Sequence, residues 1–198
     1  MMGHHTRAKA AVMLQELGLD GAILGAVDRK GFQRLDELSP QASEAAALAA
    51  WGLDLGMSGN VAGLLQEALR LSNGMEEAIS DAMGLLPRLI NEWSTVGVAA
   101  KKRMASHRGF QAAWCLLAST HPDSAQAISA EVAELSKGIG LAPAPLLGGD
   151  DLIAAGHRPG PRFAIALDAA YDAQLDGLIS TLEEAVSIAE RTFLGDTA

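Results

Sequence analysis

Aromatic side chains are scarce in this chain of 198 residues: three Trp, one Tyr and four Phe. Sheet cores lean on aromatic and β-branched residues, so the scarcity argues against strands, while abundant alanine and leucine suit helices packed through small contacts. Cysteine occurs once, at Cys115, which excludes an internal disulfide. Its setting in Ala112-Ala113-Trp114-Cys115-Leu116-Leu117 marks it as a buried core thiol. No apolar run reaches the roughly 20 residues of a spanning helix without charge or glycine breaks. Met1 to Arg7 leads into no long apolar stretch of the secretory kind. The expectation is a soluble, cytoplasmic chain with no membrane partner. Positive charge is short as well: 15 Lys and Arg stand against 24 Asp and Glu, for a net charge of −9. This balance counts against a surface coated for nucleic acid, and any such contact has to be local.

What is present is apolar periodicity of the helical kind. Ala11, Val12, Leu14 and Leu17 give one face over 6–17. The stretch 18–40, with Leu19, Ile23, Leu24, Val27, Phe32 and Leu35 between glycines, reads as short helices and loops. Ser39 is placed as a cap with Pro40 at the first position of a helix running to Trp51. Asn60 caps a helix from Val61 to Leu71, with Leu64, Leu65, Ala68 and Leu69 inward. Asn73 and Glu76 have capping-box spacing for the next helix, which Pro87 is expected to kink or end. A helix from Ser124 to Lys137 keeps Ile128, Val132 and Leu135 inward, with His121 as a cap-region residue rather than a catalyst. Thr181 and Glu184 form a second capping box for the last helix, whose final residues fray. The fold class is all-α, with a helical body over 1–137, a Gly/Pro-containing linker over 138–148 and a helical tail over 149–198.

Two stretches carry candidate binding chemistry. Lys101, Lys102, Arg103 and Arg108 place four of the fifteen basic residues within eight positions. On spacing alone they form either a cationic patch or an ordinary solvated face. The second stretch is Gly148 to Phe163. Gly149 or Asp150 caps a short helix with Leu152 and Ile153 inward, Gly156 ends it, and Pro159-Gly160 turns into a second helix that starts at Pro161 and stops at Gly177. Exposed N–H groups at a helix start favour an anion, and His157, Arg158 and Arg162 cluster there. Such a hairpin holds a phosphate without reading any base, or is simply a helix corner with solvated arginines.

The order Gly149-Asp150-Asp151-Leu152, then Gly156-His157-Arg158-Pro159-Gly160-Pro161-Arg162-Phe163, then Asp172-Ala173-Gln174-Leu175-Asp176-Gly177, then Thr181 with Glu183-Glu184-Ala185, resembles the C-terminal tail of bacterial tRNA nucleotidyltransferases, the CCA-adding enzymes, and their poly(A) polymerase relatives. Leu69-Arg70-Leu71-Ser72-Asn73 and the basic segment before Phe110 are similar to parts of that family's helical body. The likeness is strongest over 147–185, fair over 64–118 and weak before residue 40. It implies an all-α body and tail that grips tRNA through its backbone and positions it for 3′-end processing. The residues it implies in RNA binding are Lys101, Lys102, Arg103 and Arg108 in one zone and His157, Arg158, Gly160 and Arg162 in another.

The family's catalytic head has no counterpart in the sequence. No Gly-Gly or Gly-Ser element followed by paired aspartates is present, and the neck's EDxxR-like run is missing, so no catalytic or metal-binding residue is assigned. Metal ion and nucleotide would belong to a separate nucleotidyltransferase head, the second expected partner beside tRNA; DNA is not expected. Where many relatives carry a His-Asp metal pair, this chain has Leu53-Asp54. A lone carboxylate does not hold a metal, so Asp54 is read as a local hydrogen-bonding or surface residue. The competing function is a diverged stand-alone helical protein-interaction module with no RNA binding, which the acidic balance favours.

Overall fold

The computed structural model describes residues 2–4, 6–25 and 31–195; His5, Val27 and the last three residues lie outside them. Among the described residues there are twelve α-helices and no strand. They are α1 (Arg7–Glu16), α2 (Leu19–Leu24), α3 (Gln33–Glu37), α4 (Glu44–Asp54), α5 (Val61–Leu69), α6 (Asn73–Asn91), α7 (Val98–Ser106), α8 (Phe110–Ala118), α9 (Pro122–Leu135), α10 (Gly149–Ala154), α11 (Pro161–Leu175) and α12 (Leu182–Leu194). No described helix is long and apolar enough to cross a membrane.

The helices fall into two compact units, Met1–Thr95 with His107–Glu131 and Val96–Ser106 with Val132–Ala198. The sequence reading keeps 96–106 with the body. In the structure that segment joins the C-terminal helices, because α11 presents carboxylates that hold it, as described below.

In the first unit α4 is buried on nearly every side: Ala45 to Trp51 are all in the core. A helix apolar all round must be surrounded, and α4 packs on α3, α5, α6 and α8. Its alanines let those neighbours come close. The same economy of space recurs at Gly109, where an added Cβ would stand 2.8 Å from the Asp81 carbonyl carbon. Among the described residues Arg7 is the one cation buried at the N-terminal side of this unit. Its guanidinium donates to the Leu38 carbonyl at 3.0 Å, to the Met2 carbonyl at 3.4 Å and to the Ser39 carbonyl, joining α1 to the end of α3.

Several helix limits move relative to the sequence reading. The helix expected from Pro40 begins at Glu44, capped by Ser43, whose Oγ accepts from the Ala46 N–H at 3.2 Å. Ser39 instead makes a turn with Gln41 and Ala42. Asn60 does cap α5, accepting from the Gly63 N–H at 3.0 Å. The cap of α6 is Ser72, not Asn73, accepting from the Met75 N–H at 3.3 Å. Pro87 neither ends nor breaks α6, which runs on to Asn91. The lost hydrogen bond and clash of an interior proline cost about 3 kcal/mol. Leu85 and Leu89, buried on either side of it, each return roughly 1.5–3 kcal/mol. Leu64 and Ile153, placed inward by periodicity, are 48% and 50% exposed.

The second unit centres on Leu147, Leu152, Ala166, Ala170, Ala185 and Ala189, with α11 laid against α12. The capping box of α12 forms as its spacing requires: Thr181 Oγ1 accepts from the Glu184 N–H at 3.3 Å, and Glu184 accepts from the Thr181 N–H at 3.1 Å and the Ser180 N–H at 2.7 Å.

Two outcomes follow. Arg7→Met strands the Leu38 and Ser39 carbonyls and is expected to lower stability by about 1–3 kcal/mol, read by urea unfolding. The backbone N–H groups of Ser180 and Thr181 hold the Glu184 carboxyl below its ordinary value. A depressed carboxyl stabilises the fold above its unfolded value, near 4.3, and that contribution is lost as pH falls through the folded value. Glu184→Gln should therefore lower the melting temperature at neutral pH, with the gap to wild type closing below about pH 4.

Candidate nucleic-acid interface

The four cations of the first expected zone do not share one environment. Successive residues on a helix point about 100° apart, so Lys101, Lys102 and Arg103 leave α7 in three directions. Lys101 is half-buried and Lys102 is only 6% exposed. Arg103 turns toward α11: its Nε donates to Asp172 Oδ1 at 2.6 Å and its Nη2 to Asp168 Oδ1 at 3.3 Å, while its Cζ lies 5.1 Å from the Tyr171 ring centre. Burial alone would depress this guanidinium; the hydrogen bonds and charges of Asp172 and Asp168 outweigh that and hold it above its ordinary value. Arg108 belongs to the first unit, where it pairs with Asp81 and, at 3.4 Å, with Glu77. The Asp81 hydrogen bond and charge raise its pKa.

The second expected zone is local to the C-terminal unit. Gly148, one residue before the expected cap, precedes α10, and its N–H donates to Asp151 Oδ2 at 2.8 Å. Gly156 takes φ +91° and ends the helix, as glycine does at a C′ position. The His157 ring stacks on Phe193 at 4.2 Å and 8°. Arg162 Nη1 donates to the Phe193 carbonyl at 3.0 Å, near the end of α12. Both therefore brace the hairpin against the last helix. Arg158 is exposed and makes no hydrogen bond or ion pair with another described residue. Gly160 is the cap of α11 in extended backbone, φ 176°, and an added Cβ would meet nothing within 4 Å. Neither backbone strain nor crowding inside the chain demands glycine there.

The residues after the hairpin have structural partners that the sequence did not disclose. Gln174 is buried; its Nε2 donates to the Ala144 carbonyl at 2.8 Å and its Oε1 accepts from the Leu146 N–H at 2.9 Å. The Tyr171 hydroxyl donates to the Pro143 carbonyl at 3.0 Å. The Gly/Pro linker is thus fastened to α11. Asp176 Oδ1 accepts from the Ala99 N–H at 2.7 Å, in the first turn of α7. Polarity along the Asp172–Gly177 run hints at such partners; their identity depends on segments some 30 and 70 residues earlier.

Asp54 is a buried hydrogen-bonding residue. It accepts from the backbone N–H groups of Arg34 at 3.2 Å and Leu35 at 2.9 Å, and from Arg34 Nη1 at 3.3 Å, so it caps α3 from a distance. Among the described residues no group of three His, Cys, Asp or Glu stands close enough to hold a metal ion. Burial pushes the Cys115 thiol up, away from a reactive thiolate.

No family model matches the chain, and neither the curated proteins nor the solved structures include a significant match.

The division between engaged and open cations is measurable. Arg103→Ala should cost about 1 kcal/mol or less, since both ion pairs are largely exposed. Arg158→Ala should stay within about 0.5 kcal/mol of wild type in the same thermal unfolding series.

Proposed function

We propose that this chain is a helical tRNA-contacting region similar to the body and tail of CCA-adding enzymes and poly(A) polymerases, acting in the cytoplasm to position tRNA for 3′-end processing. The chemistry would belong to a nucleotidyltransferase head that brings its own metal ions and nucleotide. The observation that carries the reading is the turn at 157–160. Its glycine faces open space without internal need, its arginine has no hydrogen-bond or ion-pair partner among the described residues, and a fifteen-residue helix starts directly after it. A phosphate could approach the Gly160 backbone closely there, with Arg158 beside it and the dipole of α11 behind it. Support also comes from the four linked sequence elements of the tail.

The first cationic zone contributes less to this reading than its sequence density promises. Arg103 and Arg108 already have carboxylate partners and Lys102 is buried, which leaves the tail turn as the principal contact. With two or three phosphate contacts, log affinity should fall against log salt with a slope of roughly −1.5 to −2.5.

The same pairing favours a second reading, a helical protein-interaction module without RNA binding. Net charge of −9 and engaged arginines both suit it.

Fluorescence anisotropy with deacylated tRNA and a DNA hairpin at two salt concentrations separates them. Salt-sensitive binding that prefers tRNA, weakened several-fold by Arg158→Ala and by Gly160→Ala with the fold retained, is the expected result. Absence of tRNA binding at low salt would overturn the RNA role and leave the interaction module.

A further inference from the structure

The first unit exposes apolar side chains along its N-terminal helices: Val12, Met13 and Leu17, then Leu19 and Ile23 on α2. Single exposed apolar residues are ordinary, whereas a run of them beside a groove marks a contact surface. A groove of about 520 Å³ lies here between α1 and the start of α3, with Ala8, Val12, Met13 and Phe32 as apolar walls. Lys9 stands on the α1 side and Asp36 on the α3 side. Both are exposed, and neither makes a hydrogen bond or ion pair with another described residue.

Charge decides what fits. A purely cationic partner would meet Lys9, and an anionic one, nucleic acid included, would meet Asp36 on a chain of net charge −9. A partner that satisfies both must carry both signs at matching positions. A second copy across a two-fold axis does so by construction, because in an isologous contact residue i meets residue j and j meets i. Lys9 of each copy then faces Asp36 of the other. Met13, 61% exposed on the lip of the groove, supplies an unbranched, adaptable side chain for the opposite groove and its Phe32.

We propose that the groove between α1 and α3 is the self-complementary face of a two-fold homodimer of this chain. The contact involves only the first unit and is independent of the RNA reading.

Sedimentation equilibrium of the whole chain across micromolar concentrations tests it. Wild type is expected to dimerise. Met13→Glu should weaken the dimer tenfold or more while leaving the circular dichroism spectrum unchanged, because the side chain is mostly exposed. Lys9→Glu should weaken it by a similar factor through like charges, and the double variant Lys9→Glu/Asp36→Lys should restore it. A wild-type chain that stays monomeric at every concentration overturns the proposal. So does a dimer indifferent to Met13→Glu, or one that the charge exchange fails to rescue.

Discussion

Close approach between helices is the constraint on which both cores depend. With eight aromatic residues in 198, the chain cannot fill space with large rings. It brings backbones together instead. Ala45, Ala46, Ala47, Ala49 and Ala50 put small side chains on most faces of α4, and Ala166, Ala170, Ala185 and Ala189 play the same part where α11 meets α12. Dispersion per atom pair is small, and only dense packing accumulates it. The glycines with near neighbours sit in the same economy: Gly52 lies against Val61, and Gly109 lies against Asp81, where a methyl group would be too close. Of the larger residues, Trp51, Leu65 and Leu116 are buried almost completely.

Close packing leaves little room for polar atoms without partners, and this explains where the charges go. Arg7 is buried where the Leu38 and Ser39 carbonyls at the end of α3, and that of Met2, need donors. Asp54 is buried because two N–H groups at the start of α3 need an acceptor. Asp176 receives an N–H from the first turn of α7, and Arg103 farther along that helix receives Asp172 and Asp168. Nine excess negative charges do not simply repel nucleic acid from this molecule. Several of them hold particular cations and helix starts, and in doing so give those cations partners within the chain.

Helix existence was legible in the sequence, and so was helix class, because period-3.6 patterning and caps such as Asn60, Thr181 and Glu184 act within a few residues. Failures arose where a competing local bond was equally available. Ser43 caps α4 while Ser39 has a turn of its own, and Ser72 caps α6 while Asn73, already its first residue, accepts from Gln66 Nε2 at 3.2 Å. Pro87 does not end α6, because its cost is local while the burial of Leu85 and Leu89 is tertiary. The candidate site was legible to a different degree. Density of basic residues along the chain located α7, but density is blind to direction, and three adjacent residues on a helix cannot share a face. The partners of Arg103 and Gln174 lie 69 and about 30 residues away, beyond any local pattern.

This separates two kinds of signal inside one tail motif. Asp151, Asp172, Gln174, Asp176 and Glu184 each have an internal hydrogen-bond partner, so the fold alone accounts for their chemistry. His157 and Arg162 also have internal partners in Phe193. Arg158 and Gly160 do not: one is an exposed cation without a described partner, the other a glycine in ordinary extended backbone with open space beside it. A residue whose type the fold explains says little about ligands, however specific the motif around it. Asp150 and Glu183 also lack such partners among the described residues but sit in the first turns of α10 and α12, where the helix dipole favours an acid. Arg158 and Gly160 lie within three residues of each other, immediately before the N–H groups of α11. Any ligand of the tail is therefore to be sought at that turn, and its chemistry should be anionic, because that is what an arginine and a helix start both attract.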